Sequence, residues 1–122
     1  MKIVLIGSGN VATHLGRAFA MAGQNIVQVW SREDQNARIL ADSLGAETVA
    51  ILSDITPSAD LYIIAVKDDA IKEVITELNL SDQLVVHTSG STGLDILTGL
   101  STRTGVFYPL QTFSRSTAVD FR

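Results

Sequence analysis

The sequence predicts an α/β domain built on a doubly wound parallel sheet, six strands with helices on both faces. Three observations lead there. Short apolar runs alternate with segments whose apolar residues recur at helical spacing. The connections between them are short, as a parallel sheet with crossover helices requires. The first strand-to-helix turn is built around two glycines. The chain has 122 residues, the size of one domain. At 46% hydrophobic and 18% charged it carries enough apolar material for one buried core.

The elements follow in order. Lys2-Ile3-Val4-Leu5-Ile6 is a short apolar run that stops at Gly7, a strand buried on both faces. From Asn10, residues Val11, Leu15, Ala18, Phe19 and Ala22 draw one stripe along a helix that ends at Gly23. Residues 25–30 form a second strand. Ser31 then caps a helix carrying Ala37, Leu40, Ala41 and Leu44, closed by Gly45. Residues 47–50 read as a short third strand, and Pro57 and Ser58 break the chain. Residues 61–66 are the clearest central strand. The next helix carries Ala70, Ile71, Val74, Ile75 and Leu78. A fifth strand covers 84–87, a short helix lies at 94–97 behind the capping pattern Thr92-x-x-Asp95, and a sixth strand spans 105–108. Six strands fit two βαβαβ halves in the usual doubly wound order.

Composition excludes several functions. The net charge is −4 and the pI about 4.9, a balance unsuited to nucleic acid or an anionic membrane surface. It still permits an anionic ligand at a local backbone site. With no cysteine, disulfides, thiolate metal sites and a Cys nucleophile are ruled out. His14 and His87 have no metal-ligand spacing, so no metal is expected, and His14 reads as a surface residue. The apolar run after Lys2 is too short for a leader, and no stretch nears the roughly 20 apolar residues of a membrane helix. We expect a soluble, cytoplasmic protein.

Gly7-Ser8-Gly9-Asn10-Val11-Ala12 is a G-x-G-x-x-A string that leaves a strand and opens a helix. That context is the dinucleotide-binding fingerprint of the Rossmann fold. Gly7 permits the tight turn, Gly9 lets backbone approach a pyrophosphate, and Ala12 keeps helix and sheet close. The first helical N–H groups face the ligand, and the helix dipole adds about half a positive charge. The plainer alternative is a tight turn without a ligand.

The end of the second strand bears on which nucleotide binds. NAD-specific domains place a carboxylate there, about 20 residues past the fingerprint, to hold the ribose 2′-hydroxyl. Here the strand ends Trp30-Ser31-Arg32. Arg32 offers a charged planar fork and Ser31 a hydroxyl to a 2′-phosphate, which favours NADP. Glu33 and Asp34 are expected to face away in the first helical turn. Ser31 is equally placed as a helix cap, and Arg32 as a solvated side chain.

Ligands in such sheets lie at the carboxyl ends of strands. Val66-Lys67-Asp68-Asp69 ends the fourth and passes near the adenosine ribose and pyrophosphate. Lys67 suits a phosphate or bulk solvent equally, and Asp69 suits a helix start. His87-Thr88-Ser89-Gly90 ends the fifth, where nicotinamide and substrate belong. His87 is the one weak catalytic candidate by proton transfer, but with no carboxylate partner in view an ordering role for the loop is favoured. After the sixth strand, Gln111 and Thr112 can bond a small polar substrate or tie the loop down.

Taken together, these segments resemble the N-terminal Rossmann-like domain of NADP oxidoreductases that carry a helical C-terminal domain. That group includes a type of ketopantoate reductase and is similar, more distantly, to pyrroline-5-carboxylate reductases and F420-dependent NADP reductases. The matching segments are Ile3 to Ala12, Trp30-Ser31-Arg32, Ala65-Val66-Lys67-Asp68, His87-Thr88-Ser89-Gly90 and Tyr108-Pro109-Leu110-Gln111-Thr112-Phe113. The resemblance implies an NADP-binding role for Gly7, Ser8, Gly9, Asn10, Val11, Ser31 and Arg32. It implies a cofactor or substrate edge at Val66, Lys67, His87, Thr88 and Ser89. Relatives commonly have His where this chain has Tyr108, so no catalytic role carries over to that position. It further implies a small polar carbonyl or imine substrate, such as a 2-oxo acid, and a homodimer. The helical substrate and dimerisation domain is expected downstream of this chain, and the general acid with it. The competing reading is a non-catalytic nucleotide sensor. A methyltransferase is disfavoured because Ser31-Arg32 stands where a ribose-binding carboxylate belongs.

Overall fold

Apolar strands without polar alternation need cover on both sides, and the computed structural model shows that arrangement for residues 1–66, 68–78, 80, 83–88 and 103–106. The elements are β1 (Lys2–Ile6), α1 (Asn10–Met21), β2 (Asn25–Trp30), α2 (Asp34–Leu44), β3 (Glu47–Val49), a 3-10 turn (Leu52–Asp54), β4 (Leu61–Ile64), α3 (Asp68–Glu77), β5 (Leu84–His87) and β6 (Arg103–Val106). The six strands pair in parallel in the order β3-β2-β1-β4-β5-β6. The doubly wound order read from the sequence is the one observed.

Side chains alternate across the strands and divide the core in two. Ile3, Leu5, Leu61, Ile63 and Val86 pack with Ala12, Leu15 and Phe19 of α1 and Ala37, Leu40 and Ala41 of α2. Val4, Ile6, Tyr62, Ile64 and Val85 face the other way, toward Ile71 and Val74 of α3 and Leu52 and Ile55. One irregularity matters for the site. The β1–β2 register skips Val27, pairing Ile3 with Ile26 and Val4 with Gln28. This bulge changes the phase of β2. Ile26 and Val29 then share one core, while Val27 and Trp30 pack against the other.

Helix α1 packs tightly at Gly16. A Cβ there would meet Leu44 Cδ1 at 2.8 Å and Leu5 Cδ2 at 3.2 Å. Ala12 is fully buried one turn earlier, as the fingerprint requires. Helix α2 closes on Gly45, whose φ of +69° is the left-handed conformation glycine favours.

Several boundaries differ from expectation. Ser31 does not cap α2, because the helix starts at Asp34 and Glu33 holds the extended position before it. Ser31 Oγ instead accepts the Glu33 N–H at 3.3 Å, a turn formed ahead of the helix. Strand β4 ends at Ile64, since the chain turns toward α3 directly after the Ala65 N–H has bonded the Ile6 carbonyl at 2.8 Å. Strand β6 lies at 103–106, set by its pairing with all four residues of β5. His14 is exposed, as expected. The helix expected at 94–97, its capping pattern and residues 107–122 lie outside the described residues. No helix among the described residues is long and apolar enough to cross a membrane.

Tyr62 gives a stability prediction. It is fully buried; its hydroxyl donates to the Thr56 carbonyl and accepts the Ala59 N–H at 3.1 Å. Burial pushes the phenol up, Asp60 adds to the rise, and the Ala59 hydrogen bond offsets part of it. The unfolded chain releases this proton near pH 10 while the folded one still holds it. The stabilisation is therefore fully present below about pH 10 and lost as pH rises through the higher folded value. Tyr62→Phe leaves the Ala59 N–H and Thr56 carbonyl without this partner. It should cost about 1–3 kcal/mol at neutral pH and flatten the alkaline fall of the urea midpoint. An unchanged midpoint and an unchanged alkaline arm would contradict this role.

Candidate functional site

The strand order reverses between β1 and β4, and at such a switch point the loops diverge and leave a crevice. Here the crevice is a cleft of about 470 Å³ at the carboxyl ends of the strands. Its floor is the first turn, Gly7, Ser8 and Gly9. One wall comes from the end of β2 and the start of α2: Trp30, Ser31, Arg32, Glu33 and Asn36. The opposite wall comes from the end of β4 and from α3: Ala65, Val66, Ala70 and Val74.

The floor is shaped by the absence of side chains. Gly7 has a φ of +127°, and a Cβ on it would lie 2.2 Å from the Ala65 carbonyl oxygen. Its N–H donates to the Trp30 carbonyl at 2.6 Å, continuing the β1–β2 ladder into the turn. Gly9 differs. Its φ of −75° suits any residue, and apart from its chain neighbours a Cβ on it would meet no atom of the described residues within 4 Å. Gly9 therefore keeps space open rather than satisfying the fold, which is what close approach of a diphosphate to backbone needs. It precedes α1, whose first turn holds no acidic residue to oppose an anion.

Floor and wall are joined by hydroxyls. Ser8 Oγ and Ser31 Oγ lie 2.7 Å apart, and Ser31 Oγ also accepts the Glu33 N–H. A hydroxyl pair contains two hydrogens and uses one between its members, so one remains for a ligand oxygen. Trp30 lies in the wall because of the β2 bulge, and its Nε1 donates to the Ala50 carbonyl at 3.1 Å, which fixes the ring. Arg32 Nη2 donates to Glu73 Oε2 at 2.7 Å. Asn36 Nδ2 donates to Glu33 Oε2 at 3.2 Å.

Six of the residues singled out in the sequence meet on this cleft: Gly7, Ser8, Gly9, Ser31, Arg32 and Val66. Asn10 and Val11 follow the floor without lining it; Asn10 is exposed, and the Val11 side chain packs on the core. His87 is fully buried at the end of β5, off the cleft wall. The Thr88 N–H donates to the Ile64 carbonyl at 3.2 Å. Lys67, Ser89, Gly90 and the segment from Tyr108 to Phe113 lie outside the described residues. Glu33 corrects an expectation: it lines the cleft instead of facing away, because it precedes the helix and keeps extended backbone. Trp30, Asn36, Ala65, Ala70 and Val74 also line the cleft, and the sequence assigns none of them a binding role. Among the described residues no cluster of His, Cys, Asp or Glu is arranged to hold a metal ion.

Over residues 2–90 the chain matches the family described as NADP oxidoreductase, coenzyme F420-dependent. The chain belongs to that family. No curated protein matches closely enough to count as a relative. Among solved structures, it is similar to a protein of Bacteroides fragilis described as an NADP oxidoreductase, with 40% identity and a TM-score of 0.79 over 88% of this chain and 43% of that one. A pyrroline-5-carboxylate reductase from Coxiella burnetii shares 26% identity, TM-score 0.66, over 80% of this chain and 39% of that one. An imine reductase from Bacillus cereus, at 21% identity and TM-score 0.64 over 84% of this chain and 38% of that one, shares the fold. The chain thus spans less than half the length of each of these proteins.

Proposed function

We propose that this family member binds NADP(H) in the cleft and forms the nucleotide half of an oxidoreductase acting on a small polar carbonyl or imine compound. One observation carries the reading. The open floor at Gly9 and the Ser31–Arg32 pair belong to a single cleft, so a diphosphate and a 2′-phosphate have separate receptors within it. The residues fit the group. Gly9 and the first turn of α1 receive the diphosphate, while Ser31 and Arg32 receive the 2′-phosphate. Trp30, Ala65, Ala70 and Val74 supply apolar walls for the adenosine.

When bound, the nicotinamide supplies or accepts the hydride; the chain's own residues orient it and set the local charge. The likeness to the Coxiella burnetii pyrroline-5-carboxylate reductase supports an imine as the substrate class. By the resemblance set out from the sequence, the general acid and the dimer contact belong to a helical domain downstream. The reading extends to a homodimer, on the strength of the resemblance set out from the sequence, and to the cytoplasm, as expected from the apolar pattern of the sequence.

Arg32→Ala tests the nucleotide choice. Affinity for NADPH should fall on the order of tenfold, the worth of a charge-assisted contact, while affinity for NADH stays where it was. Equal losses for both nucleotides, measured by binding heat, would remove Arg32 from the 2′-phosphate site.

A further inference from the structure

The contact between Arg32 and Glu73 joins the two walls of the cleft. Arg32 follows β2, and Glu73 stands on α3, the helix that contributes Ala70 and Val74 to the opposite wall. Their side chains are 63% and 64% exposed, so the pair adds little to stability. Its consequence lies in what it occupies. A guanidinium carries five N–H donors in one plane, and carboxylates and phosphates compete for the same donors. In the free protein, Glu73 Oε2 occupies Arg32 Nη2 at 2.7 Å, a donor that a 2′-phosphate bound there would use. A nucleotide with a free 2′-hydroxyl makes no such demand. A 2′-phosphate would compete with Glu73 for that donor and then meet its charge nearby.

We propose that Glu73 is a specificity-determining residue that competes with the 2′-phosphate for Arg32. It holds the preference for NADP(H) below the level Arg32 alone would give. The inference rests on the 2′-phosphate site proposed above.

Adenosine 2′,5′-bisphosphate and 5′-AMP differ only in the 2′-phosphate, so they test the competition without redox chemistry. Calorimetric titration of the wild type, Glu73→Gln, Arg32→Ala and the double variant separates the outcomes. Both residues are exposed, so folding should be undisturbed, which thermal melting checks. Glu73→Gln should bind the bisphosphate about two- to fivefold tighter, the range of an exposed ion pair, with 5′-AMP unchanged. In the Arg32→Ala background that gain should shrink. Unchanged or weaker bisphosphate binding in Glu73→Gln would overturn the proposal. So would an equal gain for both probes, which would make Glu73 a plain barrier over the adenosine. If the wild type favours the bisphosphate through Arg32 yet ignores Glu73→Gln, only this inference fails. If it shows no preference and Arg32→Ala changes nothing, the 2′-phosphate site fails with it.

Discussion

Gly7→Ala should remove much of the protein's stability. A methyl on Gly7 would sit 2.2 Å from the Ala65 carbonyl oxygen and 2.8 Å from its carbon. Both atoms are backbone, in the β4 end that the Ala65 N–H ties to the Ile6 carbonyl at 2.8 Å. No rotamer change can make room. The backbone adds a second cost, because a φ of +127° is strained for any residue with a Cβ. Overpacking costs about 1–3 kcal/mol, and a strained φ about as much again. Against a typical total of about 5–15 kcal/mol, the loss is severe. Thermal melting should show a midpoint lower by about 10–20 °C. A midpoint within a few degrees of wild type would mean that the first turn does not press on β4.

Gly9→Ala should do the opposite: leave the fold intact and abolish most nucleotide affinity. The backbone at Gly9 suits alanine, and apart from its chain neighbours its Cβ would meet no atom of the described residues within 4 Å. Stability should change by less than about 0.5 kcal/mol, or rise slightly as the unfolded chain loses freedom. The methyl would stand in the space left open beside the first turn of α1. A hydrogen bond to a charged group contributes about 1.5–3 kcal/mol, so affinity for NADPH should fall on the order of ten- to a hundredfold. NADH should lose as much, since both carry the diphosphate. An alanine variant that melts like wild type and binds like wild type would leave the Gly9 space without a purpose. The two glycines separate the roles of one loop: Gly7 answers to the fold and Gly9 to the ligand.

Much of this was legible along the chain. The strands stand out because a parallel sheet buries both faces, and Ile3 to Ile6 or Leu61 to Ile64 leave no polar alternation to misread. The glycine turn was legible because its meaning is local: strand, turn and helix are consecutive. What escaped was of two kinds. Short-range geometry misled at Ser31, a good cap by composition that turns toward Ser8 instead and lets α2 begin at Asp34. The displaced start then brought Glu33 onto the cleft. Long-range geometry was invisible: Arg32 and Glu73 lie 41 positions apart, and only the packing of α3 beside the β2 end brings them together. The bulge at Val27 was hidden for a similar reason, since register belongs to the pair of strands rather than to either alone.

The nucleotide site itself is tested most directly by titrating the protein with NADPH and NADH while following Trp30. It is the chain's single tryptophan and it lines the cleft, so bound reduced nicotinamide, which absorbs where tryptophan emits, should quench it. Saturable quenching by both nucleotides, at clearly lower concentration for NADPH, is the predicted result. Emission that neither nucleotide changes, with no binding heat from either, would contradict it.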